Sequence, residues 1–394
     1  MLMRRISSKG IAVALIAAVM ASCSLMKDDR SECPMGLYVS FVYNYNIDRA
    51  DMFRDQVGAV TVYVFDEQDR LVRVEELKRP AAGQPIRTLY TQDDIRYQMH
   101  IQLSPGRYRL LALAQQSPYG DLLNQSGAKF RRDFVTPSTY TDLSVTLDRQ
   151  DTTGSNYKLV PNHGTPLDTL WHGSLKQYAV PDTALTTGRQ ILSDDFIEVK
   201  EDRPTFATIG LIRDSKDVHV SLRSTHEDVR STLSNTDFEI TITDQNGHIA
   251  WDNSVTDTDT LLYIPYAQWT TRATAVGSPV KRKAEGVIAE QAAHYDFSLS
   301  RLIYSADATK NAIMRIRHIP SDHVVGEFNL THLLSQGRTH PELTRYSEQE
   351  FLDRESRYNL EMILIGTGAE QRIAYVELSI SILGWAKRIQ YEVL

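Results

Sequence analysis

Cysteine is nearly absent: Cys23 and Cys33 are the only two in 394 residues. That excludes a disulfide-stapled scaffold and a cysteine-built zinc centre. Basic residues are not in excess, with 43 Lys and Arg against 50 Asp and Glu and a formal charge of −7. The chain therefore lacks the positive face that displaces phosphate counterions, and a nucleic-acid partner is excluded. No Gly-x-Ser-x-Gly elbow, P-loop or dinucleotide glycine fingerprint occurs. The apolar run at residues 11–21 is too short to cross a bilayer as a mature helix. What is there, 42% hydrophobic and 24% charged residues, is the composition of a globular protein, which excludes a disordered tail, a coiled coil or a collagen-like fibre.

Arg4, Arg5 and Lys9 precede that apolar run and Ser22-Cys23 follows it, the layout of a secretory signal. Met20-Ala21-Ser22-Cys23 resembles a bacterial lipobox, in which small residues precede a cysteine that is acylated and becomes the first residue after cleavage. Met20 departs from the leucine usual there. The resemblance implies a signal peptide at residues 1–22, lipid on Cys23, and a lipidated tether at residues 23–35. Several acyl chains hold a protein stably, whereas one is marginal, since each buried methylene adds only ~0.8 kcal/mol. Lys27, Asp28 and Asp29 resemble the export signal of Bacteroidetes surface lipoproteins. Together these place the protein on the outer membrane, exposed at the cell surface. Removing residues 1–22 takes away Arg4, Arg5 and Lys9 and brings the formal charge from −7 to −10. With Cys23 acylated, Cys33 has no partner within the chain, so stability must come from buried apolar surface.

From residue 37 onward the pattern alternates with period two, the signature of strands. Leu37, Val39, Phe41 and Tyr43 share a face, as do Val60, Val62 and Val64, with Thr61, Tyr63 and Phe65 opposite. Residues 66–70 read as a turn. Ser104-Pro105-Gly106 between two alternating runs predicts a hairpin, and so does Asn246-Gly247. Residues 150–188, broken by glycine and proline, read as a long irregular excursion. The terminal stretch 374–394 reads as a long strand broken at Gly384. Helical signals are few: a Ser347-x-x-Glu350 capping box and weaker candidates at residues 51–56 and 329–335. The expected class is all-β, two sandwiches in tandem with a few short helices. At about 150 residues per domain, the division falls near residue 205, giving domains at 36–205 and 206–394.

Few residues carry chemistry. Cys33, followed by proline in a tether, is not read as a nucleophile. Asp244, Asn246 and Gly247, with Asp252, Asp257 and Asp259 nearby, resemble a calcium-loop fragment but lack the closing glutamate, so a turn and a solvated acidic loop are favoured. His318 and His323 straddle a proline and do not share a helical face; His163 and His172 lie in the excursion with no carboxylate at a telling offset. The 19 tyrosines and 4 tryptophans could line a glycan platform, but Tyr63, Trp251 and Tyr375 fall inside strand patterns, where aromatics pack by default.

Longer stretches resemble a known family. Glu32-Cys33-Pro34, the run from Leu37 to Tyr45, Val60 to Asp66, Trp171-His172-Gly173, Tyr263-Ile264-Pro265-Tyr266 and Leu383-Gly384-Trp385 are similar to the fimbrium anchoring subunits of Bacteroidales. The resemblance implies two tandem transthyretin-like sandwiches, a lipidated Cys23, and no catalysis, cofactor or metal. It also implies a place at the base of a type V fimbrium, with the major fimbrial subunit and accessory fimbrial proteins as partners. Fibre length would be limited by strand-mediated contact, in which one chain completes another's sheet. A surface glycan-binding lipoprotein, or an accessory or tip adhesin of the same fold, stays open as the alternative.

Overall fold

The period-two segments do form strands. The computed structural model describes residues 35–78, 98–175, 196–225, 229, 232–274, 289–382 and 385–392. Its first half supplies β1 (Leu37–Val42), β2 (Ala59–Phe65), β3 (Leu71–Lys78), β4 (Gln98–Ile101), β5 (Gly106–Gln115), β6 (Phe130–Arg132), β7 (Ser144–Leu147), β8 (Gln150–Asp151), β9 (Lys158–Leu159), β10 (Trp171–Ser174), β11 (Phe196–Val199), β12 (Thr205–Gly210) and β13 (Ile212–Arg213). The second half supplies β14 (Lys216–Ser224), β15 (Phe238–Asp244), β16 (His248–Ala250), β17 (Leu261–Tyr263), β18 (Ala267–Thr274), β19 (Ala289–Leu299), β20 (Ile313–His318), β21 (His323–Asn329), β22 (Arg357–Ile365), β23 (Arg372–Ile382) and β24 (Trp385–Glu392). Short helices α1 (Phe53–Gln56), α2 (Tyr119–Leu122), α3 (Leu330–Ser335) and α4 (Glu348–Arg354) complete the inventory used below. The fold is all-β and built of sandwiches.

In the first half, β12-β1-β4 form one sheet and β13-β10-β5-β2-β3 another, with β11 pairing β5. Leu37, Val39 and Phe41 from the first sheet and Val60, Val62, Leu110, Ala112 and Trp171 from the second share one apolar cluster. All seven residues of β2 are buried. The reason is a third layer, β16-β7-β6: Tyr63 and Phe65 belong to a different cluster with Phe130, Tyr140 and Val145. Alternation in β2 thus sorts side chains between two cores, where the usual strand would sort them between core and water.

The second half packs two six-stranded sheets, β18-β19-β14-β22-β23-β24 and β21-β20-β15-β17-β9-β8. Val218, Val220, Tyr295, Phe297, Leu360 and Met362 meet Ile240, Ile242, Tyr263, Met314 and Ile316 between them. Three strands cross the expected division. β7 pairs with β16, and β9 pairs with β17 while β8 hydrogen-bonds to β9. The backbone itself leaves the first sandwich after β13 and enters the second at β14.

Two expected hairpins are instead crossings between sheets. β4 pairs only with β1 and β5 pairs with β2, β10 and β11, because Met99, Ile101, Leu110 and Ala112 all feed one core. Ser104-Pro105-Gly106 arches over the end of the sandwich, fastened by the Tyr108 hydroxyl donating to Ser104 O at 2.9 Å. Likewise β15 pairs with β17 and β20, while β16 pairs with β7. Asn246 is buried, donating to the carbonyls of Ser300 and Arg301 at 3.3 and 3.2 Å and accepting from the Tyr263 hydroxyl at 2.6 Å. A Cβ on Gly247 would lie 2.6 Å from the Asp257 carboxylate, so glycine serves close approach there. The expected irregular excursion holds β8, β9 and β10; its residues 176–188 lie outside the described set. The terminal run divides into β23 and β24, antiparallel from Tyr375↔Glu392 to Ile382↔Trp385. Ser347 caps α4 as the sequence indicated, its hydroxyl accepting from Glu350 N at 3.1 Å.

Candidate functional site: tether exit, junction and sheet edges

The lipidation residue Cys23, the export residues Lys27, Asp28 and Asp29, and Cys33 lie outside the described residues. Met35 is the first described residue. Met35 is 43% exposed, and its carbonyl accepts from His100 Nε2 at 3.0 Å. Gly36 follows with φ +127°, where a Cβ would stand 2.7 Å from Ile101 O; only glycine tolerates that backbone. The chain then runs straight into β1, which sits between β12, parallel over six register pairs, and β4, antiparallel. Backbone hydrogen bonds hold β1 along both of its edges.

The passage from one sandwich to the other is buried and polar: Arg213, Asp214, Ser215 and Lys216 are all inaccessible. Burying charge is costly unless it is paired, and most of these groups are. Lys216 Nζ donates to the carbonyls of Asp353 and Glu355 at 3.2 and 2.8 Å. Arg213 Nη2 meets Asp217 Oδ2 at 2.7 Å. Arg301 forms a fork with Asp353, at 2.9 and 2.8 Å, and donates to Asn253 O. Asp214 is the exception. Neither carboxylate oxygen has a hydrogen bond among the described residues, and Arg301 Nε stands 3.9 Å away. Burial pushes the Asp214 carboxyl up to about 7, against the pull of Arg301. Burial raises Glu355 to about 7 as well, and lowers Lys216 to about 8.

The residues considered for chemistry are committed elsewhere. His172 lies on β10, buried, with Nε2 donating to Trp251 O at 2.7 Å; burial lowers it to about 4. In the acidic loop, Arg149 Nη1 bridges Asp257 and Asp259 at 2.9 Å each, so a guanidinium occupies the place a cation would take. His318 Nδ1 contacts Ser321 Oγ at 2.7 Å. No group of three or more His, Cys, Asp or Glu side chains able to hold a metal occurs among the described residues. Of the aromatics, Tyr63 is buried and Trp251 partly so, but Tyr375, expected to pack, is 47% exposed. It stands on the outer face of β23, because its neighbours Ala374 and Val376 take the inner one.

What the molecule offers a partner is therefore sheet edge. β3 ends one sheet, carries Arg73, Glu75, Glu76 and Lys78, and shifts register against β2 at Val64/Phe65. β21 ends another and shifts against β20 at Ile316/Arg317. Charges and bulges of this kind discourage unwanted pairing. β18 ends the first six-stranded sheet of the second half with no register shift and a single charge, Arg272.

A family model described as fimbrillin-A associated anchor proteins Mfa1 and Mfa2 matches residues 30–391. The chain belongs to this anchor-protein family. Solved structures agree on the fold. A candidate adhesin of Bacteroides thetaiotaomicron aligns with TM-score 0.65 and 21% identity, over 92% of this chain and 100% of that one. Candidate polysaccharide-binding proteins of the same organism give 0.60 and 24%, over 90% and 98%. The fimbrial anchor protein Mfa2 of Porphyromonas gingivalis gives 0.50 and 14%, over 90% and 99%. No curated protein matches the chain. Sequence reading missed Asp214, Lys216, Arg301 and Asp353. Arg213-Asp214-Ser215-Lys216 has the look of a solvated linker, and only tertiary packing shows it to be buried.

Proposed function

We propose that this chain is an outer-membrane lipoprotein that holds a fimbrium to the cell surface. Lipid on Cys23 fixes one end, the cluster Lys27, Asp28 and Asp29 directs surface exposure, and a sheet edge holds the major fimbrial subunit at the fibre base, which limits fibre length. The observation that carries the reading is the family match spanning the whole folded region. Geometry supports it. From Cys23 to Met35 the tether reaches at most about 40 Å when fully extended, at roughly 3.3–3.6 Å per residue. Force entering at Gly36 is taken by a strand flanked on both sides. It then passes to the second sandwich through the β7–β16 and β9–β17 pairings as well as through the backbone. A subunit under traction needs such parallel routes, since a single flexible linker would let the halves separate.

Replacing Cys23→Ala tests this. Fibres and the protein itself should move from the cell fraction to the medium. Cell-bound fibres of normal length in that variant would refute the anchor role.

A further inference from the structure

β18 is a long sheet edge that pairs with no strand but β19 among the described residues. Its eight residues, Ala-Gln-Trp-Thr-Thr-Arg-Ala-Thr, pair with β19 in unbroken register from Ala267↔Asp296 to Thr274↔Ala289. It has no proline and no bulge, and Arg272 is its one charge. Natural edges of this length are normally blunted, because unpaired backbone groups template pairing with another chain.

Side chains reinforce the point. His219, His294 and Trp269 form a rack across β14, β19 and β18: His219 stacks on His294 at 5.3 Å and 24°, and His294 on Trp269 at 5.1 Å and 15°. Asp296 holds His219 Nδ1 at 2.6 Å, and Thr271 Oγ1 contacts His294 Nε2 at 2.7 Å. The rack ends at the sheet edge with Trp269, 38% exposed, whose ring contacts among the described residues are to the two histidines. Thr270 is pinned from beneath, accepting from Asn235 N at 2.9 Å and donating to Asn235 Oδ1 at 2.8 Å. The edge is thus stiff before anything binds, which reduces the ordering cost of association. Arg272 is exposed and forms no ion pair among the described residues.

From this we infer that β18 is the docking edge, and that its occupant is an extended segment of a partner protein which adds a strand beside it. The segment places a planar side chain on the open face of Trp269 and a carboxylate against Arg272, three positions apart and on opposite faces, as a period-two strand requires. Charge complementarity disfavours pairing of β18 with β18 of a second copy, because β18 contains no acidic residue of its own to offer Arg272. The inference rests on the anchor reading and names the surface that reading leaves open.

The test is site-specific photo-crosslinking of the full-length protein on cells, with the photoreactive residue at position 268 of β18 or, for comparison, at position 72 of β3, and peptide identification by mass spectrometry. The expected result is a crosslink from position 268 to an extended segment of a fibre-forming subunit that carries a planar and an acidic residue three apart. Trp269→Glu and Arg272→Glu should each lower its yield roughly tenfold, as for a central interface aromatic or charge, while Trp269→Phe keeps it. Thermal unfolding of Trp269→Phe and Arg272→Glu should match the parent, and Trp269→Glu should fall only by the loss of its stack on His294. A fibre subunit captured from position 72 and not from 268 overturns the β18 assignment and leaves the anchor reading intact. A crosslink from 268 to a second copy of this chain, or glycan binding that Trp269→Glu abolishes without any crosslink, also overturns it. If neither position captures a fibre subunit, the anchor reading falls and takes the assignment with it.

Discussion

The core between β1 and β2 and the junction at residues 213–216 both exclude water, the first with Val39, Val62 and Leu110, the second with Arg213, Asp214 and Lys216. Apolar burial stabilises in proportion to the area covered, about 25 cal/mol per Å², and does not depend on protonation. Buried ions contribute little net stability when complete and cost heavily when one partner is lost. The contrast separates two jobs. The core keeps the sandwich folded, and the junction fixes how one half continues into the other, since its donors and acceptors are satisfied only with Asp353 and Glu355 in place.

The sharpest way to break this comparison is Arg301→Met. It leaves Asp353 without its fork and Asp214 without the guanidinium 3.9 Å away, and should cost about 3–5 kcal/mol in denaturant unfolding; a loss under about 1 kcal/mol would show that the junction is not held by charge. Next, Leu110→Ala should cost about 2–5 kcal/mol, and the loss should be the same at pH 5 and pH 8, because nothing ionisable is involved.

The smallest effect is the most specific. Asp214 and Glu355 have folded values raised to about 7 against about 4 unfolded. Between those limits the native state binds more protons, so their contribution is complete below about pH 4 and is lost as pH rises through 7. Each adds a downward slope of up to about 1.4 kcal/mol per pH unit. Asp168 and Asp244, raised to about 7 by burial, add to it. His172, lowered to about 4, opposes it between about 4 and 6.5. Asp214→Asn should therefore flatten the stability profile most clearly between about pH 5 and 6.5, where the folded carboxyl is protonated and the unfolded one is not, and Leu110→Ala should leave the slope unchanged. Equal slopes in parent and Asp214→Asn would reject the assignment.

The strands were legible in the sequence because alternation is a local property. Leu37 to Phe41, Val60 to Val64 and Phe238 to Ile242 announce a buried face by spacing alone. Which strands pair is not local, and there the turn chemistry misled. Pro105-Gly106 and Asn246-Gly247 suit a tight reversal, yet both carry the chain between layers, because their flanking strands face each other across a core. β10 escaped notice for a related reason: Trp171, His172 and Gly173 are buried whichever way they point, so no alternation marks them. Trp269 standing on a terminal strand is likewise a property of the sheet order, which no spacing reveals.

The parallel pairing of Leu37 with Thr205 also sets an order of assembly. Residues 37–42 have their β12 neighbours only after synthesis and export have delivered residue 210, and β7 and β9 wait longer still, for β16 and β17. Closing such distant contacts is slow. The strand that opens the described fold is made early but seated late, so the first sandwich cannot close until most of its chain is present.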